Sequence, residues 1–239
     1  MNMGIQMRPI TAATVMATLC AAAALPAHAD DSDSVPANTL RIGEYHVMYN
    51  TTSTDITGPL TPSGLQANAK NLDTLYLGYV RKLSTHFIAE LVLATPPLAD
   101  TLGKGPATVG SVPFNDQVIA KARWLAPSAL LDYEFFDDSS AWRPYIGFGA
   151  NYTTFYDRQS TAAGNQASGG PTRISLTSSF GPAGTMGVSW HPLRHVEINA
   201  SYSAAIVTSS MTTDTAGVIR HARIQFLPTP LIFSLGYSF

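Results

Sequence analysis

The polarity pattern is clearest at the C-terminal end of the chain, where large apolar residues alternate with mostly small or polar ones. The apolar members of this alternation are Leu231, Phe233, Leu235, Tyr237 and Phe239. Successive side chains of a strand point to opposite faces, so a period of two predicts a strand with one apolar face. A closing strand whose apolar face meets lipid is typical of an outer-membrane barrel.

Seven further stretches show a strand-like pattern. The eight predicted strands cover residues 40–50, 71–81, 86–95, 120–135, 143–156, 175–190, 195–208 and 218–239. In the seventh, apolar residues hold every second position from Val196 to Ile206, a parity that an amphipathic helix would not keep. Each strand therefore offers an apolar outer face and a mixed inner face.

Short and long connections alternate between the predicted strands. The short ones cover residues 82–85, 136–142 and 191–194, the long ones cover 51–70, 96–119 and 157–174, and a medium one covers 209–217. Outer-membrane barrels have short periplasmic turns and long extracellular loops. The sequence therefore predicts an all-β fold, an eight-stranded antiparallel transmembrane β-barrel with both chain ends on the periplasmic side.

The first 29 residues have the organisation of a secretory signal peptide. Arg8 precedes an uncharged run over residues 10–25, and Ala27-His28-Ala29 matches an Ala-x-Ala cleavage signal. A transmembrane anchor is the alternative, but the run is short and rich in alanine. We expect cleavage after Ala29, delivery to the outer membrane of a Gram-negative cell, and a barrel domain over residues 30–239.

Composition supports strands as the spanning elements. Charged residues make up only 13% of the chain, against about a quarter in soluble domains. No segment after the leader approaches the roughly 20 apolar residues of a spanning helix, which leaves a barrel. The mature chain has no cysteine and a net charge of −3, without the clustered basic surface of nucleic-acid binders. We expect no disulfide, no cofactor and no nucleic-acid partner.

Five segments carry a resemblance to a known family. They are ELVLATP at 90–96, LAPSALL at 125–131, RPYIGFGANYTTF at 143–155, GPAGTMGV at 181–188 and GYSF at 236–239. Through them the mature chain resembles the OmpW family of outer-membrane proteins, which includes the alkane-uptake protein AlkL. The resemblance implies an eight-stranded barrel with a narrow, largely apolar channel for small hydrophobic molecules. It also implies that barrel assembly machinery reads the terminal Phe239.

The inward-facing positions predict a divided interior. Eight strands leave room for side chains or for one small ligand, which excludes a wide aqueous pore. The predicted channel lining, in the outer half, is Met48, Thr74, Tyr76, Val92, Ala94, Leu130 and Ser203. The predicted charged floor, toward the periplasm, is Glu90, Asp132, Glu134 and Glu197, with Arg81, Arg143 and Arg194 as expected partners. Buried carboxylates must be paired, hydrogen-bonded or protonated, so we expect a polar plug there.

Three positions are candidates for controlling passage. Val92 matches an apolar constriction position of the family. Phe180, beside the third long loop, is a candidate gate or cap, with lipid-facing packing as the alternative. Pro127 lies within a predicted strand, where it removes a donor from the hydrogen-bond ladder. It marks either a lateral opening into the membrane or a tolerated bulge.

Aromatic residues with outward parity gather near the periplasmic ends of the strands. They are Tyr133, Phe135, Trp190, Tyr237 and Phe239. Such rings favour the head-group level, so we expect a membrane girdle in contact with outer-membrane lipids. Ordinary enrichment of aromatic residues in strands is the alternative.

These patterns favour a passive channel for small hydrophobic molecules over two other classes of protein. The first alternative is a structural or surface-receptor barrel that acts through its loops without a continuous channel. The second is an enzyme, which needs a nucleophile, a base and an orienting group held together. His191 and His195 flank a turn and lack the helix of an H-E-x-x-H metal site. His46 and His221 could meet when the barrel closes, but we expect no catalysis and no metal site.

Overall fold

The computed structural model describes residues 36–239, so the predicted leader lies outside the described residues. The described chain is almost entirely strand, with one short helix, α1 (Ala162–Ser168). The strands, in chain order, are β1 (Asn38–Tyr49), β2 (Thr52–Ser53), β3 (Gln66–Ala69), β4 (Leu72–Lys82), β5 (Phe87–Ala94), β6 (Leu98–Lys104), β7 (Thr108–Val109), β8 (Val112–Pro113), β9 (Val118–Leu125), β10 (Ser128–Glu134), β11 (Trp142–Ser160), β12 (Thr172–Leu176), β13 (Ser179–Leu193), β14 (Val196–Ala205), β15 (Thr208–Thr215), β16 (Val218–Gln225) and β17 (Pro228–Ser238).

Eight of these strands form a closed antiparallel barrel. Around the wall the order is β1, β4, β5, β10, β11, β13, β14 and β17, and β17 pairs with β1. Asn38 and Phe239 exchange backbone hydrogen bonds of 3.1 and 2.8 Å at this closing seam. The predicted eight-stranded antiparallel barrel is therefore confirmed. Among residues 36–239, no helix is long and apolar enough to cross a membrane.

The wall follows the alternation of the sequence. In β10, Leu130 and Asp132 are buried inside the barrel, whereas Leu131 and Tyr133, which alternate with them, are 50% and 38% exposed on the outside. The outward residues are apolar because they face lipid rather than water.

The long connections contain regular structure of their own, because they extend the wall outward as two sheets. One sheet joins β12, β15, β16 and β2, and the other continues from β11 through β9 and β6 to β3. Helix α1 packs against β9, with Thr161 as its N-cap. Each sheet contributes inward apolar side chains to a small core, around Met211 and Ile224 in one case and Leu65 and Phe114 in the other.

Candidate functional site

The main cavity of the barrel lies in its outer half. It encloses about 880 Å³ of unfilled space, counted to its open mouth, and its wall is mostly apolar. Side chains from β1, β5, β9, β10, β11, β13, β14 and β17 contribute to the wall. The alternation of each strand brings small or apolar residues inward at this level, which leaves room for a small hydrophobic molecule.

The structure places the predicted lining residues at three different sites. Val92, Leu130 and Ser203 lie in the wall of the cavity. Tyr76 lies beneath it, fully buried in the core of the barrel. Thr74 and Ala94 are not part of the lining. The Thr74 hydroxyl instead donates a hydrogen bond of 2.8 Å to the Thr95 carbonyl oxygen.

The prediction for Met48 was wrong because the parity of β1 was inverted. Val47 and Tyr49 line the cavity, so Met48 between them points outward. The polar residues Glu44 and His46 suggested an inward face. They belong instead to the outer face, where His46 pairs with Asp73 of β4.

A layer of tightly packed side chains closes the bottom of the cavity. Tyr76, Val92, Leu130, Ala183 and Ile232 form one buried cluster. The ring of Tyr76 is stacked on that of Tyr45, which lies in the cavity wall, at 6.3 Å between centroids and 4° between planes. Protein interiors are close-packed, so this layer marks the lower boundary of the cavity.

Below this layer lies the charged floor, and its central cation is Arg41. The guanidinium lies 3.1 Å from Glu90 Oε1 and 2.7 Å from Glu197 Oε1. It also donates to Ser189 Oγ at 3.2 Å and lies over the ring of Tyr145 at 5.9 Å. One arginine thus neutralises carboxylates from two strands, and hydrogen bonds make such a buried pair tolerable.

Sequence reasoning missed Arg41, although a signal for it was present. Leu40 and Ile42 are apolar neighbours on the outer face, which places Arg41 inside by alternation. Of the expected partners, Arg143 binds Asp138 of the periplasmic turn at 3.3 Å instead. Arg81 has the outward parity of β4, so its predicted pairing with the floor was wrong.

The four predicted floor residues are all buried inside the barrel. Tyr76 donates its hydroxyl proton to Glu90 Oε1 at 2.7 Å, which links the floor to the aromatic layer above it. Asp132 is 0% exposed, and a β-carbon at Gly147 on the neighbouring strand would collide with its carboxylate. Glycine at 147 therefore makes room for this carboxylate. With Glu134 and Glu197 also buried, the lower interior is filled by side chains.

The wall beside the cavity is interrupted at Pro127. Pairing between β5 and β10 stops at Val92 and Ser128, and pairing between β6 and β9 begins only at Leu98 and Arg123. No β-pairing crosses this seam in between. Ala126 lies in the interrupted segment and also lines the cavity, so the cavity reaches the seam from inside.

Asn151 of β11 holds the other side of the interrupted segment. Its side-chain amide donates to the carbonyl oxygens of Ala126 and Pro127 at 3.2 and 3.3 Å, and to Ser128 Oγ at 3.0 Å. A backbone hydrogen bond from Tyr152 to the Pro127 carbonyl, of 2.9 Å, adds to this hold. The segment is therefore fixed to β11 and unpaired toward β5.

Phe180 does not cap the cavity. Its side chain is 77% exposed on the outer face of β13, so the prediction of a gate there was wrong and the lipid-facing alternative fits its position. It follows Ser179, which is buried, and the strict alternation of the strand turns it outward.

The predicted girdle residues all lie on the outer face near the periplasmic ends of their strands. Tyr133 contacts the rings of Phe87 and Phe135, and Trp190 is stacked on Trp142 at 5.4 Å. The predicted girdle left out Phe87 and Trp142, which are the first residues of β5 and β11. Tyr237 and Phe239 are about as exposed as these rings.

A second cavity, here called the vestibule, lies among the loop sheets outside the main cavity. It encloses about 930 Å³, and four residues, Thr101, Ala122, Leu176 and Phe226, line both cavities. The lining of the vestibule is mostly apolar, and its two charged side chains, Lys121 and Arg220, are both basic.

Carboxylates of the neighbouring loops have partners of their own. Asp55 accepts hydrogen bonds from Gln66 Nε2 and the Gly64 amide, and these hydrogen bonds lower its pKa. Asp214 accepts one from the Gly217 amide at 2.8 Å. These side chains stabilise loop turns and are not part of the vestibule wall.

The two histidines that the sequence suggested could meet at barrel closure, His46 and His221, have separate partners. His46 pairs with Asp73, while His221 Nδ1 lies 3.1 Å from Thr212 Oγ1 in the loop sheet. Among residues 36–239 no group of three or more histidine, cysteine, aspartate or glutamate side chains is placed to hold a metal ion.

Comparison with known sequences gives a match over nearly all of the described chain. The sequence model of the OmpW family matches residues 38–239. Outer membrane protein W of Escherichia coli strain K12 is 31% identical over 142 residues, or 56% of this chain, and the chain spans 66% of that relative's length. Outer membrane protein W of Vibrio cholerae is 28% identical over 200 residues, which is 84% of this chain and 87% of the relative.

Comparison with solved structures gives the same fold. The crystal structure of OprG from Pseudomonas aeruginosa has a TM-score of 0.76 at 24% identity, over 86% of this chain and 96% of that one. The solid-state NMR structure of AlkL in DMPC lipid bilayers has a TM-score of 0.62 at 14% identity, over 90% and 96%. Both are outer-membrane proteins by name, and they share the barrel architecture described above.

Proposed function

Because the chain belongs to the OmpW family of outer-membrane proteins, we propose that this barrel is a passive channel for the uptake of small hydrophobic molecules. The observation that carries the proposal is the apolar cavity in the outer half of the barrel, which ends on a filled lower half. A water-filled pore would need an open lower interior, and Arg41 with its carboxylate partners occupies that space. We propose a non-catalytic role.

The exit from the cavity follows from the position of the seam. A solute that enters from the loops meets the layer of Tyr45 and Tyr76 at the bottom of the cavity. The seam at Pro127 adjoins the same cavity. If its outer side faces lipid, an apolar molecule would leave water favourably there for the hydrocarbon region. We propose that the solute leaves sideways through this seam, between residues 93–97 and 124–127, beyond the end of the β5–β10 ladder.

The role of the remaining predicted residues follows from this path. Val92, Leu130 and Ser203 would contact the solute in the cavity. The exposed aromatic rings near the periplasmic rim would position the barrel in the membrane, in contact with its lipids. The terminal Phe239 would be the signal for barrel assembly, and export would use a leader cleaved after Ala29.

Substitution of Pro127 tests the lateral exit. Pro127→Thr adds a backbone donor opposite Tyr152 of β11, which already donates to the Pro127 carbonyl. The segment at 126–128 should then be held more firmly, and the entry of an apolar solute into liposomes should slow several-fold. The assay would follow a fluorescent hydrophobic reporter in liposomes that contain the purified barrel. Pro182→Thr is the matched control, because Pro182 lies within β13 opposite Ala150, away from the seam and outside the cavity wall.

The same assay separates the proposal from its alternatives. If wild-type barrels do not speed entry at all, the channel is wrong and a surface-receptor barrel becomes the better explanation. If they do, but Pro127→Thr and Pro182→Thr behave alike, the channel stands and the lateral exit does not. A heat-dependent shift of the gel band would show that each variant is folded.

A further inference from the structure

The vestibule contains a buried arginine without an acidic partner. Arg220 is 8% exposed and lies on the inner face of β16, in line with the buried Ala222 and Ile224. Its Nε donates to Thr61 Oγ1 at 2.9 Å, Nη1 to Thr215 Oγ1 at 3.2 Å and Nη2 to the Ser168 carbonyl oxygen at 3.4 Å. All three acceptors are neutral.

This environment is costly for a guanidinium. A buried charge needs a counter-charge, and neutral oxygen atoms compensate only part of the lost hydration. The guanidinium has five N–H donors, and the contacts within the described chain use three. Two donors are left for a ligand on the wall of an open cavity, and a carboxylate can accept two such hydrogen bonds at once.

The charge of the vestibule wall favours the same sign of ligand. Lys121, its other charged side chain, is basic and lies 3.1 Å from Asp100, which is part of the inner cavity wall and not of the vestibule wall. Asp55 and Asp214 are engaged in their own loops, as described above. The vestibule therefore presents an unmatched positive charge to a ligand.

The shape of the site indicates what is attached to the anionic group. Apolar side chains such as Ile56, Ile174 and Ile224 line the vestibule together with the arginine. The shared lining residues Leu176 and Phe226 connect it to the apolar cavity of the barrel. An anionic head at Arg220 would leave a hydrocarbon tail directed along an apolar path.

We propose that the vestibule is a binding site for amphipathic carboxylates, with Arg220 as the residue that holds the carboxylate. The inference deepens the proposed function, because it adds a class of substrate to the channel and rests on the channel for its biological meaning. The site would select a hydrocarbon chain with a negative head group over the same chain with a neutral or positive one.

Binding to the full-length protein in lipid nanodiscs tests the site, with empty nanodiscs as the blank. The probes are decanoate, decanol and decyltrimethylammonium at pH 7, measured by isothermal titration calorimetry. The wild-type protein should bind decanoate about tenfold more tightly than decanol, as expected for hydrogen bonds to a charged group. Decyltrimethylammonium should bind most weakly. Equal binding of the three probes would overturn the proposal without any substitution.

Substitutions then assign the selectivity to one side chain. Arg220→Gln should abolish the preference for decanoate over decanol and leave decanol binding unchanged, while Arg220→Lys should keep part of the preference. Arg223→Gln is the matched control, because Arg223 lies three residues further along β16 and is exposed. If Arg220→Gln keeps the wild-type preference, or loses decanol and decanoate equally, the arginine does not hold the carboxylate.

The two proposals fail in distinguishable ways. Binding requires no passage, so selective decanoate binding without entry of any apolar solute into liposomes would overturn the channel and leave the site. Entry of decanol without a preference for decanoate in the binding measurement would overturn the site and leave the channel.

Discussion

Two glutamates of the barrel wall show that the effect of a charged residue on stability depends on the strand face that carries it. Glu197 points inward, is 2% exposed and is paired with Arg41 at 2.7 Å. Glu44 points outward and is flanked by Leu75 of β4 and Phe233 of β17, so it is exposed among lipid-facing side chains. A charge on the lipid face is unfavourable, whereas a paired charge inside is tolerated.

Replacement of each glutamate by leucine should therefore have opposite effects. Glu44→Leu should raise the free energy of unfolding by about 1 kcal/mol, because an outward carboxylate leaves the lipid face. Glu197→Leu should lower it by about 3 kcal/mol, since Arg41 loses a buried partner. Urea titration of barrels in lipid vesicles would measure both changes. Destabilisation by Glu44→Leu would mean that the outer carboxylate has a partner or a role in the wall.

The same residues explain what the sequence could and could not predict about the site. Alternation placed Val92, Leu130 and the four carboxylates of the floor on the inside, because their strands have clear apolar outer faces. It failed on β1, where Glu44 and His46 interrupt the apolar outer face and suggested the wrong parity, so Met48 was misplaced and Arg41 was missed. Arg220 escaped notice because a charged residue in a predicted strand gives no sign that its neighbours are neutral.

At the scale of elements, strand number and order followed from the sequence, but the breaks within strands did not. Each of four predicted strands contains two residues outside strand pairing, at 126–127, 177–178, 206–207 and 226–227. At the β13–β14 seam a backbone hydrogen bond from Ile206 to Pro182, of 3.1 Å, bridges the break. Only tertiary pairing distinguishes such a bridged break from the unpaired seam at Pro127, because the sequence of one strand does not show which backbone groups of its neighbour lie opposite the break.

Asn151 of β11 fixes the segment at 126–128 beside the seam at Pro127. Asn151→Ala should free the segment at 126–128, speed the entry of an apolar solute and lower the stability by about 1–2 kcal/mol, because buried acceptors lose their donor. Liposome entry and urea titration measure the two effects. Asn199→Ala is the matched control, since Asn199 is also buried and bonds to Tyr145 and Ser189 in the floor. A similar gain in entry rate for both variants would show that general loosening, and not the seam, limits passage.

At the scale of the whole molecule, the barrel is a stack of three layers with different chemistry. The vestibule carries an unmatched positive charge, the cavity beneath it is apolar, and the lower interior is filled by an ionic cluster. The ionic cluster fills the lower interior and involves no loop residue. Solute passage and barrel stability therefore depend on different residues. A change within the cavity can then block transport while the Arg41 cluster continues to hold the strands together.

Filling the cavity tests this separation. Ser203 lies in the cavity wall, so Ser203→Trp should occupy the solute path and reduce entry of an apolar solute to the rate of empty liposomes. Ala200→Trp, on the same strand but with the outward parity, adds the same side chain to the lipid face and should leave entry unchanged. Both variants should keep the heat-dependent gel shift, because neither touches the ionic cluster. Normal entry through Ser203→Trp barrels would place the solute path outside this cavity, and the layered arrangement would then serve stability alone.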